Sequence, residues 1–195
     1  ASAAPGCDLP AARPLWIDFG DGSVPFWQST FARPGIVAAA SNFLVPPKLR
    51  AAGAKTVYWD MNFRLRVGTP LAPFDPGVVI NRANRLYATA AMSSGCTKPM
   101  IAENEMNGAS TITPWSMSNA QYRRNVMIYM QTLSALGARP VILVPSAPYM
   151  GGEAADWWRQ LSRYADIVRE SYFAAPKVAK QGAVEGSRTL RAMFR

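Results

Sequence analysis

Histidine is missing altogether from these 195 residues. With it go the Ser-His-Asp and Cys-His catalytic arrangements, histidine general bases and histidine-ligated zinc sites. Phosphate-binding glycine loops are missing as well. No Gly-x-x-x-x-Gly-Lys-Ser/Thr occurs, and no Gly-x-Gly-x-x-Gly joins a predicted strand to a predicted helix, so nucleotide chemistry is a poor expectation. No cofactor and no metal are expected. No apolar run reaches the roughly eighteen residues that span a bilayer, so no membrane insertion is expected either. Acidic residues are scarce, 12 against 21 lysines and arginines, for a net charge of +9. The arginines are scattered rather than gathered into a stripe, which argues against a phosphate-binding face and against nucleic acid. An arginine-rich proteome is the ordinary explanation of such a balance.

Only two cysteines are present. Cys7 lies just after the small-residue opening Ala1-Ser2-Ala3-Ala4-Pro5-Gly6, which is what signal-peptidase cleavage leaves behind. That suggests a secreted or extracytoplasmic protein, in which a Cys7 to Cys96 disulfide would close a loop of about ninety residues, worth about 4 kcal/mol. Two unpaired buried cysteines are the alternative. A chain of this length, 49% hydrophobic, has material for one core. We divide it into an N-terminal arm, 1–13, and a single domain, 14–195.

Five short β-rich runs predict strands: Leu15 to Phe19, Thr56 to Asp60, Pro99 to Glu103, Pro140 to Val144 and, more weakly, Lys177 to Gln181. Three- and four-residue apolar spacing predicts helices over Pro47 to Ala52, Val78 to Met92, Asn119 to Leu136 and Ala155 to Phe173. Gly53, Gly95 and Gly137 stand where three of them should stop. Alternating strands and helices predict an α/β fold with a parallel sheet. Strand starts some forty residues apart imply long loops after the strands. Gly186 to Arg195 reads as a serine-capped amphipathic helix on which the sequence stops. Five strands and an uncapped helix suit the N-terminal portion of a (β/α)8 TIM barrel, truncated at its C-terminus. A complete doubly wound α/β domain is the alternative.

Parallel α/β folds place their chemistry at the carboxyl ends of strands. Asp18, Asp21, Asp60, Asn62, Arg64, Glu103, Asn104, Glu105 and Ser146 all fall there. Ile17-Asp18-Phe19-Gly20-Asp21 is superficially like the aspartate loop of haloacid-dehalogenase-type phosphatases, but Gly20 stands where their second aspartate belongs. A tight Asp-Gly turn is the plainer reading.

Ile101-Ala102-Glu103-Asn104-Glu105-Met106-Asn107 delivers three successive polar residues from an apolar strand. It resembles the Asn-Glu pair that ends the fourth strand of clan A retaining glycoside hydrolases. The resemblance implies that Glu105 is the general acid/base, with a raised pKa, and that Asn104 holds the sugar hydroxyl beside the scissile bond. The pair falls on the third predicted strand, one short of the family's position, and no late strand-end carboxylate stands out as nucleophile. Asp18, Asp60 and Asn62 would hold further hydroxyls, and Trp59, Trp115 and Trp27 would stack on sugar rings. More widely, Pro14 to Asp18, Gly53 to Tyr58, Ile101 to Glu105 and Asp156 to Arg159 resemble a group of exported bacterial glycoside-hydrolase-like barrel proteins. That likeness implies the architecture and no settled reaction. Trp157 and Trp158, at a helix start, are expected to pack in the core. Two functional readings stay open: an enzyme cleaving glycosidic bonds through Glu105, and a non-catalytic extracellular protein that holds glycan with the same loops.

Overall fold

A computed structural model describes residues 15–18, 37–40, 45–104, 106, 119–144 and 151–169. Along them run β1 (Leu15–Asp18), β2 (Val37–Ala40), α1 (Val45–Ala51), β3 (Lys55–Thr56), β4 (Tyr58–Asp60), α2 (Arg64–Val67), α3 (Pro76–Ser94), β5 (Met100–Glu103), α4 (Ala120–Ala135), β6 (Arg139–Val144), α5 (Glu153–Leu161) and β7 (Asp166–Arg169). Every strand pairing is parallel, in two ladders ordered β1-β2-β3 and β4-β5-β6-β7. The fold is α/β, as the alternation predicts.

Residues 55–60 belong to both ladders. Lys55 and Thr56 pair with Val37 and Ala38 on one side, Tyr58 to Asp60 pair with Ile101 to Glu103 on the other, and Val57 is the single break between them. Taking β3 and β4 as one strand, the strands follow one another in chain order, with no reversal among the described residues.

Two elements differ from expectation. β2 lies in a stretch to which no strand was assigned, because Val37-Ala38-Ala39-Ala40 is mostly alanine, which has little strand preference of its own. The helix expected over Ala155 to Phe173 ends at Leu161, and β7 begins after four intervening residues. Ser162 to Ala165 make that turn without glycine or proline, so a continuous helical spacing hid it. With β2 and β7 in place, the units they bound are shorter than the forty-residue spacing implied, while β4 to β5 and β5 to β6 keep it. The run Lys177 to Gln181 and the helix after Gly186 lie outside the described residues.

Alternation along the strands sorts side chains onto two faces. Tyr58, Ile101, Ile142 and Ile167 meet the helices in the main core, with Val79, Ala83, Leu86 and Ala90 of α3 and Tyr122, Val126, Tyr129, Met130 and Leu133 of α4. Trp59, Ala102 and Val141 form a smaller cluster on the opposite face, joined by Val57. α3 opens with Pro76 at its first turn and closes at left-handed Gly95, φ 66°. Trp158 is in the main core and meets Trp157 edge-on, ring centroids 4.8 Å apart. Among the described residues no helix is long and apolar enough to cross a membrane.

The link from α2 to α3 is a tight loop that positions the helix layer. Gly68, φ 87° and ψ −162°, sits where a Cβ would come within 2.5 Å of Ala72 O and 2.7 Å of Phe74 N. Both obstacles are backbone, so Gly68→Ala should lose about 3 kcal/mol from strain and overlap together. The check is a lower urea midpoint at unchanged m-value; a loss under about 1 kcal/mol would mean that the loop relaxes. Asn125 ties the same loop to α4. Fully buried, its amide donates to Val67 O at 3.0 Å and Phe74 O at 2.6 Å, while its Oδ1 accepts from Gln121 at 2.8 Å. Asn125→Leu strands the carbonyls and should lower thermal stability by about 2–4 kcal/mol. A Tm within a degree or so of wild type would show that water replaces the amide.

Candidate functional site

β4 and β5 end side by side, with Asp60 in register with Glu103. Both project to the helix face, in step with Tyr58 and Ile101, and both are buried. Asp60 accepts three hydrogen bonds from two residues. Arg66 of α2 donates to it twice, Nε to Oδ2 at 2.6 Å and an Nη to Oδ1 at 3.1 Å, and the Asn62 amide donates to Oδ1 at 3.1 Å. Such a fork is the strong form of carboxylate hydrogen bonding, and the bond to Asp60 raises the Arg66 pKa further.

Glu103 has no solvent exposure. Tyr129 of α4 donates to its Oε1 at 2.7 Å, and no donor among the described residues reaches Oε2. Burial pushes its pKa well above the usual carboxylate range, and the neighbouring charge of Asp60 pushes the same way. Burial, then the Glu103 charge, likewise raises Tyr129. Tyr58 is raised by burial first and by Asp60 second. A carboxyl so enclosed cannot touch a substrate; its chemistry is confined to holding a proton and fixing the strand ends.

Asn104 is the first residue beyond this pair. Its amide donates to Asp60 O at 2.9 Å, and the Met106 amide donates to Leu143 O at 3.4 Å. The chain leaving β5 is therefore tied to β4 before residue 105 and to β6 after it. Alternation puts Asn104 on the face of Ala102 and Trp59. Its Oδ1 is buried, with no hydrogen-bond partner among the described residues, which normally costs about 1–3 kcal/mol. An acceptor left so at a strand end is suited to a ligand hydroxyl.

No family model, curated protein or solved structure matches this chain.

The expected site residues are dispersed. Trp59 is 8% exposed and packs with Val57, Ala102 and Val141, so its ring faces protein. Asn62 is exposed just past β4. Asp18 ends β1, opposite Ala40 of β2. Glu105, Trp115, Trp27, Asp21, Ser146 and Cys7 lie outside the described residues. Cys96 is buried just past α3 and is not a free thiol. Among the described residues no acidic or cysteine cluster could hold a metal ion. Sequence reasoning missed Arg66 and Tyr129. Tyr129 carried a weak signal, a hydroxyl inside the apolar stripe of Val126, Met130 and Leu133; Arg66, six residues after Asp60 and across a turn, carried none.

Proposed function

We propose that this chain is a glycoside-hydrolase-like barrel protein that cleaves glycosidic bonds, with Glu105 as acid/base and Asn104 holding the sugar hydroxyl beside the scissile bond. The carrying observation is the place of Asn104. With β2 present, and β3 and β4 counted as one strand, β5 is the fourth strand, where the clan A resemblance requires the Asn-Glu pair. Strand order supports the barrel over a doubly wound sheet, which reverses direction at a switch point. The unsatisfied Asn104 Oδ1 supports the hydroxyl-binding role.

Asp60 and Glu103 are excluded as the second catalytic carboxylate by their burial and partners. That group belongs across the cleft from Glu105, about 5 Å away in a retaining site. Carbohydrate is favoured over nucleic acid as partner because several arginines are engaged internally. Arg66 is on Asp60, Arg139 is on Asp166 at 2.7 Å, Arg159 is on Asp156, and Arg82 lies 4.0 Å from the centre of the Phe74 ring. Export to an oxidising compartment, with Cys96 bridged to Cys7, is the part of this reading that the absence of a free thiol at Cys96 supports.

The test is release of reducing ends from a panel of polysaccharides and aryl glycosides by wild type and Glu105→Gln. Hydrolysis by wild type and its loss in a folded variant are expected. Hydrolysis retained in Glu105→Gln overturns the assignment; saturable binding by wild type without turnover replaces the enzyme with a glycan-binding protein.

A further inference from the structure

Two carboxyl groups in register on adjacent parallel strands, both buried, cannot both carry charge cheaply. Their surroundings differ. Asp60 faces the Arg66 guanidinium and the Asn62 amide, three donated hydrogen bonds in all. Among the described residues, Glu103 faces one hydroxyl, from Tyr129, and presents Oε2 to no donor. Donors collect on the carboxylate that is charged; an oxygen that no donor reaches, beside a second carboxylate, is where a proton belongs. We infer that Asp60 and Glu103 share one proton, carried on Glu103 Oε2 and donated to Asp60, and that this proton locks the β4–β5 end from which Asn104 leaves.

The remaining surroundings agree. Tyr58 of β4 and Tyr129 of α4 are neutral at ordinary pH, Arg66 of α2 is the one cation near the pair among the described residues, and β6 offers only Ile142 opposite Glu103. Glu103 is itself raised in pKa by burial first and Asp60 second. The lock is mechanical because Asp60 also accepts the Asn104 amide through its backbone carbonyl. Ionising Glu103 sets two anions against each other at that point. None of this depends on glycoside cleavage, so the pair operates whatever the neighbouring loop binds.

The sign follows from linkage. A carboxyl whose pKa is higher folded than unfolded keeps its proton in the native state and loses it on unfolding. Its stabilising contribution is complete below the ordinary carboxylate range and declines as pH rises towards the raised native value, by about tenfold in the folding equilibrium per pH unit.

The experiment uses the oxidised chain and Glu103→Gln, whose amide can donate to Asp60 and accept from Tyr129 as the protonated acid does. At neutral pH, unfolding of wild type should release one more proton than unfolding of the variant, measured by calorimetry in buffers of different ionisation enthalpy. A protonated-carboxyl infrared band should vanish in the variant, and the Asn104 amide should keep its exchange protection to higher pH. Equal proton release, or an unchanged band, overturns the shared proton; equal protection overturns the lock. If Glu103→Gln does not fold, Tyr129→Phe serves. Without the hydroxyl the ionised form loses a donor, so the infrared titration should move to higher pH, and an unmoved midpoint overturns the assignment.

Discussion

Asp60→Ala should cost about 3–5 kcal/mol, enough to unfold much of the population in a domain of ordinary stability. The loss has little to do with the Coulomb energy of one ion pair. Asp60 is 4% exposed and Arg66 is 26% exposed, so removing the carboxylate leaves a half-buried guanidinium without its acceptors. It also frees the Asn62 amide and deprives Glu103 of the group that takes its proton. The guanidinium is then a partly desolvated donor group left unpaired, and such a loss exceeds what the intact pair contributes. Asp60→Asn should lose less, because one acceptor oxygen survives. Urea unfolding of both variants measures the difference. A loss below about 1 kcal/mol in Asp60→Ala would show that water enters the junction and that the pair is effectively exposed.

Glu105→Gln carries the largest expected effect on activity. A general acid contributes about 10²–10⁴ in rate, and the same group must also act as base in the second step of a retaining mechanism. A loss of about a thousandfold or more in kcat is expected on substrates whose leaving group needs protonation. Aryl glycosides with acidic phenols need no proton from the enzyme to depart, so their first step should be much less affected. That contrast separates loss of an acid from loss of a loop-ordering carboxylate, which would depress every substrate alike. The alkaline limb of the wild-type pH profile should disappear in the variant as well. A uniform loss across leaving groups would remove Glu105 from the acid/base role while leaving the fold untouched.

The parts of this fold that could be read in advance are those set by local physics. The Thr56 to Asp60 and Pro140 to Val144 strands are dense in β-branched or aromatic residues, and Met100 to Glu103 is a short apolar run closed by a glutamate. Gly53, Gly95 and Gly137, with φ of 88°, 66° and 93°, take the left-handed conformations that helix ends need. β2 escaped because its alanines owe their strand conformation to neighbours on both sides, a tertiary effect. β7 escaped because Ile167 and Val168 continue the helical spacing of Trp158 and Leu161 across a turn with no breaker in it. At the site, Glu103 and Asp60 were recognised as strand-end carboxylates, but their orientation to the helix layer depends on register, which no single strand carries. The partners Arg66 and Tyr129 could be found only once α2 and α4 were packed against the sheet.

The unreversed order of the strands also bears on how the protein is made. Each described strand pairs only with the strand before it and the strand after it. When β5 emerges from the ribosome its partner β4 is already available, and β6 in turn finds β5, with only one helical crossover to close each time. A reversed sheet would make an early strand wait, edge exposed, for a late one. Here the growing chain always adds to the newest edge, so the segment carrying Asn104 is bounded on both sides as soon as β6 is in place, and the edges open to a wrong partner during synthesis are that newest one and the outer edge of β1.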